Sequence, residues 1–306
     1  MTLPILPKPG DACHGFRITA VTPLPALRGA AVQAIHERTG AKAFHLAADD
    51  AENLFSISFP TPPPDDTGLP HIMEHSVLAG SERFPVREPF FEMLKMSMST
   101  FLNAMTGPDC TYYPVASNVR QDLFNLADVY VDAVFHPLLA EKTFQREGHH
   151  LAPAKPEEPA GALTVNGIVF NEMKGAYSDP ETRLYFTWLH GLLPDTIYAR
   201  NSAGDPAAIP NLTYTTFKSF FARYYHPSNA LFFFYGDIPT ADYLAFVNER
   251  LAGYDRGFTV PAIVSQAPWS APRSCEDVYP IGPDDPATGK TYLMLHWLLG
   301  SALNGA

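Results

Sequence analysis

The chain has 306 residues, 21 of them basic and 32 acidic, giving a net charge of −11, and 46% are apolar against 17% charged. That balance excludes a largely disordered chain, and the acidity excludes a protein whose affinity rests on Lys and Arg clustered on phosphates, so no nucleic-acid partner is expected. The three cysteines, Cys13, Cys110 and Cys275, lie far apart without a C-x-x-C pair, which implies neither a disulfide framework nor a cysteine zinc knuckle.

The start, MTLPILPKPGDACHGF, has neither the apolar stretch of a secretory signal nor the Arg/Ser-rich character of a transit peptide, so a cytoplasmic location is expected. AKAFHLAA (41–48) and ENLFSISFP (52–60) flank the turn signal Asp49-Asp50 and predict a β-hairpin. Helical periodicity follows in LPHIMEHSVLAG and EPFFEMLKMSM, then in VRQDLFNLADVYVDAVF, TYTTFKSFFARYY and TADYLAFVNERLAG. TYYPVAS (111–117) and ALFFFYGD (230–237) predict further strands, the second buried on both faces. Many of the 30 prolines cluster at 61–66, 152–161 and 267–273, where they mark connections.

Near the end, TYLMLHWLLGSAL (291–303) predicts a buried strand leading into a helix. It is interrupted by His296 and too short to span a bilayer, which needs about 20 apolar residues. Strands and helices mix without a regular βαβ beat, so the expected class is α+β, with a largely antiparallel sheet packed with helices. One complete domain is expected over residues 1–266, followed over 267–306 by a linker and the start of a second, truncated domain.

The sharpest motif is His71-Ile72-Met73-Glu74-His75. With 11 His and 14 Glu in the chain, chance supplies about 0.02 matches to H-x-x-E-H. On a helix, positions 71 and 75 lie one turn apart on one face with position 74 beside them, so two imidazoles can grip one metal ion while the carboxylate reaches a water on it. The alternative is a polar stripe on a surface helix, which the flanking Leu69, Ile72, Met73, Val77 and Leu78 disfavour, since buried polar groups without partners are costly. Glu172, three and four residues from Val169 and Ile168, lies on or beside an apolar helical face and offers a third ligand; its alternative is a cap or a surface pair with Lys174 or Arg183.

These residues sit in stretches that resemble the inverzincins, or pitrilysin-type zinc peptidases, in their presequence protease branch. The matching stretches begin with TPPPDDTGLPHIMEHSVLAGSERFPVREPFFEMLKMSMSTFLNAMTGPDCTYYPVAS. FNLADVYVDAVFHP, FQREGHH, GIVFNEMKGAYSDP and GDPAAIPNLTYTTFKSFFARYYHPSNALFFFYGD follow in order, so the likeness covers about residues 25–265. It implies a pitrilysin/LuxS-like fold and an endopeptidase acting on unfolded, presequence-like oligopeptides. One zinc ion would be held by His71, His75 and Glu172, with Glu74 as general base. FLNAMTGPDCTYYPV corresponds to an edge strand that pairs with an extended peptide substrate, with Asn103 and Ala104 as backbone contacts, although Asn103 is equally readable as a turn or cap residue.

Glu147 in FQREGHH is either an acceptor that orients a zinc-bound His or a salt-bridge partner. His149 and His150 are adjacent and cannot easily share one ion, and His226, before a proline, reads as a turn residue. Members of the branch are much longer chains whose two halves close around a peptide chamber, so the resemblance also implies a C-terminal half or a partner chain. A catalytically silent peptide-binding or scaffold fragment of the same fold is the competing expectation. No Walker loop, dinucleotide fingerprint or serine-nucleophile elbow is present.

Overall fold

The computed structural model describes residues 6–87 and 89–299. Strands β1 (Ala12–Cys13), β2 (Phe16–Leu24), β3 (Gly29–His36), β4 (Lys42–Ala48) and β5 (Asn53–Pro60) open the chain, and helices α1 (Leu69–Val77) and α2 (Pro89–Met96) follow. The short strands β6 (Phe101–Leu102) and β7 (Met105–Thr106) lead into β8 (Cys110–Ser117), α3 (Arg120–Phe135) and α4 (Glu141–Glu147). A separate hairpin of β9 (His150–Pro153) and β10 (Leu163–Asn166) precedes α5 (Ile168–Ala176), α6 (Pro180–Leu192) and α7 (Tyr214–Tyr224). The last elements are β11 (Leu231–Gly236) and α8 (Thr240–Arg250).

Among the described residues the main sheet has nine strands in the order β1-β2-β3-β4-β11-β5-β8-β6, with β7 also on β8. All pairs are antiparallel except β11 with β4. The fold is therefore the expected α+β arrangement, a largely antiparallel sheet covered by helices. One face carries Phe55, Phe59, Phe232 and Phe234, all fully buried, against Tyr243 and Phe246 of α8 and Tyr225 after α7. α3 lies over β5 and β8 on its Leu123, Leu126, Ala127, Tyr130 and Val134 stripe, the i, i+3, i+4, i+7 spacing of an amphipathic helix.

Two expectations about the main sheet are corrected. β4 and β5 do not form a hairpin: β11 inserts between them, parallel to β4 and antiparallel to β5. Two strands separated by a third lie about 10 Å apart, which the four residues from Asp49 to Glu52 can bridge, so the turn signal was real but the pairing was not local. Nor is β11 buried on both faces. Phe232 and Phe234 are buried, whereas Phe233 is half-buried and stacks on Phe44 of β4 across the outer face.

The proline cluster expected to mark a connection at 152–161 does so, since residues 154–162 link β9 to β10. Beyond α8, the described chain to residue 299 carries neither helix nor strand. The expected buried strand at 291–299 is thus corrected: Leu293, Leu295, Trp297 and Leu299 are 69–94% exposed. A strand needs neighbours for its N–H and C=O groups and for its apolar face, and no described strand runs beside this segment. The helix expected after it falls outside the described residues. No described helix is long and apolar enough to cross a membrane.

Candidate metal centre

α1 begins at Gly68, whose positive φ of 67° lets the chain turn sharply into the helix, with Pro70 in the first turn, where no N–H partner is needed. Eight of its nine residues are buried, including His71 and Glu74. Ile72, Met73 and Val77 anchor it in the core, so the two imidazoles and the carboxylate are carried on a packed element. The rings of His71 and His75 are 4.9 Å apart and nearly perpendicular.

Each ring is held by its Nδ1. His71 Nδ1–H donates to the carbonyl of Ala203 at 3.0 Å, and His75 Nδ1–H donates to Glu147 Oε2 at 3.3 Å. This leaves both Nε2 atoms turned toward Glu172 Oε2, at 3.7 Å from His71 and 3.9 Å from His75. The ligand atoms of His71, His75 and Glu172 all lie within 4.8 Å of one another. Two imidazoles and a carboxylate, with the rings fixed through their second nitrogens, make a donor set suited to a divalent cation such as zinc.

Glu172 arrives from α5, which buries only Val169 and Met173. Its own side chain is 54% exposed, and it pairs with neither Lys174 nor Arg183; the latter bridges to Asp277 instead. α5 can start where it does because Gly167 lies against Gly148, where a Cβ would come within 2.1 Å of the Gly148 carbonyl. Glu147 is buried and does both things expected of it: Oε2 meets His75 while Oε1 accepts from Arg146 Nε at 2.8 Å. Burial raises the Glu147 pKa, yet the His75 bond and the Arg146 charge outweigh it and hold the carboxyl below the usual range. For His75 burial favours the neutral ring, but the Glu147 bond and the charges of Glu74, Glu147 and Glu172 shift the balance upward.

Glu74 faces a cleft of about 280 Å³ lined by His75, Leu78, Phe90, Asn103, Ala104 and Ile168, among others. Thr106 on β7 donates its hydroxyl to Glu74 Oε2 at 2.6 Å. Asn103 and Ala104 interrupt the outermost strand between β6 and β7, so they stand at the sheet edge and at the cleft wall. The Asn103 amide donates to Pro114 and its carbonyl accepts from Tyr130, while its side-chain Oδ1 accepts from Ala104 N–H. Both of its backbone groups are therefore engaged within the domain.

The remaining histidines stand apart from the cluster. His149 bonds the Leu212 carbonyl and His150 the Gln145 carbonyl, so they share no ligand, and His226 caps a short turn by accepting from Ser228 N–H. Sequence reasoning missed Thr106 and the Ala203 carbonyl. A threonine at an edge strand and a main-chain oxygen 132 residues from His71 carry no local signal that points to the centre.

Comparison with known proteins gives the family of the chain. The chain is 46% identical over 297 residues to "Presequence protease, mitochondrial" of Danio rerio, covering 95% of this chain and 29% of that protein. It belongs to the pitrilysin-type (M16) peptidases, in their presequence protease branch. The Mus musculus mitochondrial presequence protease is likewise 46% identical over 283 residues, which is 92% of this chain and 27% of that one. "Protein HypA" of Clostridium perfringens is 41% identical over 301 residues, or 97% of this chain and 31% of that protein. The chain thus spans less than a third of the length of these relatives. The family model described as "Peptidase M16 inactive domain" matches residues 211–304, a stretch that contains none of His71, Glu74, His75 and Glu172.

Solved M16 structures share the fold. Pitrilysin superposes with a TM-score of 0.57 at 20% identity, over 77% of this chain and 24% of that one. The periplasmic protease PqqL from Escherichia coli gives 0.59 at 18% identity, over 81% of this chain and 26% of its own.

Proposed function

We propose that this M16 chain carries the zinc centre of a metalloendopeptidase that hydrolyses extended, unfolded oligopeptides such as presequences. The metallopeptidase domain runs to about residue 266, and a C-terminal half or a partner chain completes the peptide chamber. The observation that carries this reading is the convergence of His71, His75 and Glu172 within 4.8 Å, with Glu74 beside them and held by Thr106.

His71, His75 and Glu172 would hold one zinc ion. When bound, zinc supplies Lewis acidity, lowering the pKa of a water toward about 7 and polarising a peptide carbonyl. Glu74 takes the proton of the attacking water and later returns it to the leaving amine, so no covalent enzyme intermediate forms. Thr106 keeps one carboxylate oxygen of Glu74 in place, which leaves the other for the water. Ala203 and Glu147 fix the two imidazoles with Nε2 presented to the ion. The edge formed by residues 101–106 would receive the extended peptide, with Ala104 offering its carbonyl and Asn103 its side-chain Nδ2, since the Asn103 amide and carbonyl are already bonded and its Oδ1 holds the Ala104 N–H.

Elemental mass spectrometry of the purified chain should find about one zinc per chain, lost in His75→Ala. Glu74→Gln should retain zinc while cleavage of an unstructured peptide falls about 10²–10⁴-fold relative to the parent. A folded parent that takes up no metal when zinc is supplied would sink the peptidase reading and favour a peptide-binding or scaffold fragment.

A further inference from the structure

We propose that Asn201 is a positioning residue that ties the two parts of the ligand set together; the inference rests on the zinc reading above. His71 and Glu172 reach the centre from unlike supports. α1 is packed into the core, whereas the Glu172 side chain is more than half exposed on a helix with two buried residues, so packing alone does not set their separation.

The loop 201–205 runs between them, and Asn201 within it is 1% exposed. Its backbone N–H donates to Asp66 Oδ1 at 2.7 Å, and Asp205 N–H donates to the Asp66 carbonyl at 2.8 Å, which clasps the loop to the segment entering α1. Asn201 Oδ1 accepts from Ala203 N–H at 3.0 Å and from Gly204 N–H at 3.2 Å. Those two bonds fold the loop so that the Ala203 carbonyl meets His71 Nδ1.

The other end of the same side chain faces α5. Asn201 Nδ2 donates to the Tyr177 hydroxyl at 2.8 Å, and Tyr177 closes α5, with its own N–H on the Met173 carbonyl. One buried amide therefore reaches His71 through the Ala203 carbonyl and the Glu172 helix through a phenol. The loops have little room to slide: a Cβ on Gly68 would stand 2.7 Å from the Ala203 oxygen and 2.8 Å from Gly204 Cα.

Groups that orient metal ligands typically change affinity by about 10–100-fold when removed. The test compares the full chain with Tyr177→Phe and Asn201→Ala, reading the zinc Kd by competition with a chromogenic chelator. The tautomer of His71 is read in the zinc-free chain by long-range proton–nitrogen NMR, and the folded state by circular dichroism. Tyr177→Phe cuts only the link to α5, so the zinc Kd should rise about 10-fold with the His71 tautomer unchanged. Asn201→Ala cuts both links, so the Kd should rise about 10–100-fold and His71 should lose its single Nδ1–H tautomer. The double variant should be no weaker than Asn201→Ala, because both changes break one tether.

A role confined to stability would lower the melting temperature of both variants and leave zinc binding within twofold of the parent, which overturns the proposal. If Asn201→Ala does not fold, Tyr177→Phe decides alone, since it keeps the ring that stacks on Phe186: a Kd within twofold of the parent overturns the tether. A parent chain that takes up no zinc overturns the metal reading itself, and this inference with it.

Discussion

The two helices that bring ligands together differ in kind. α1 buries eight of nine residues and contributes Ile72, Met73 and Val77 to the core, while α5 buries Val169 and Met173 and leaves Glu172 largely in solvent. The difference teaches that the fold and the centre are coupled on one side and separable on the other. Changes on α1 disturb both, whereas changes on the outer face of α5 disturb the centre alone.

The sharpest way to break that contrast is to compare Ile72→Ala with Glu172→Ala. Ile72 is fully buried, so its truncation should cost about 2–5 kcal/mol in urea unfolding of the zinc-free chain. Glu172→Ala should change zinc-free stability by no more than about 0.5 kcal/mol, yet abolish stoichiometric zinc. Equal stability losses in the two variants would mean that α5 is as much a part of the core as α1.

Acid sensitivity separates the fold from both helices. His45 on β4 is 1% exposed, bonds Thr240 through Nδ1, and is pushed down to about 4 by burial, with the Gly236 carbonyl acting weakly in the opposite direction. Its folded pKa is depressed, so its contribution is fully present above the unfolded value of about 6.5 and is lost as pH falls toward 4, an effect of roughly 3 kcal/mol. Urea unfolding between pH 7 and 4.5 should therefore show a steeper loss in the parent than in His45→Gln. Matching slopes would move the acid response to other groups.

The smallest expected effect sharpens the role of the edge strand. Thr106→Val removes one hydrogen bond to Glu74, worth about 1 kcal/mol, so peptide cleavage should fall about five- to tenfold while zinc content stays unchanged. A loss of zinc in that variant would place Thr106 among the supports of the metal and not of the base.

Part of the centre was legible before folding, because helical geometry converts the spacing 71, 74, 75 into one face, whereas Glu172 was equally readable as a cap or surface residue until the first motif and the family resemblance were set beside it. The five helical periodicities read from the sequence all became helices, α1, α2, α3, α7 and α8, since each stripe is a local property of its own segment, while α6 was not read. The pairing of β4 with β11 was not legible, because 183 residues separate Ala48 from Leu231 and an apolar run states that a strand is buried without naming its neighbour. The segment at 291–299 shows the converse: an apolar run suggests a buried strand, but only neighbouring strands can make it one.

By itself, then, the amino-acid sequence determined that His71, Glu74 and His75 lie together on one helix, because residue type and helical spacing are local quantities. The tertiary structure alone decided which nitrogen of each imidazole faces Glu172, because that choice belongs to the Ala203 carbonyl and the Glu147 carboxylate, 132 and 72 residues away along the chain. A main-chain carbonyl has no side-chain signature, and its direction exists only once the loop around Asn201 has closed on Asp66.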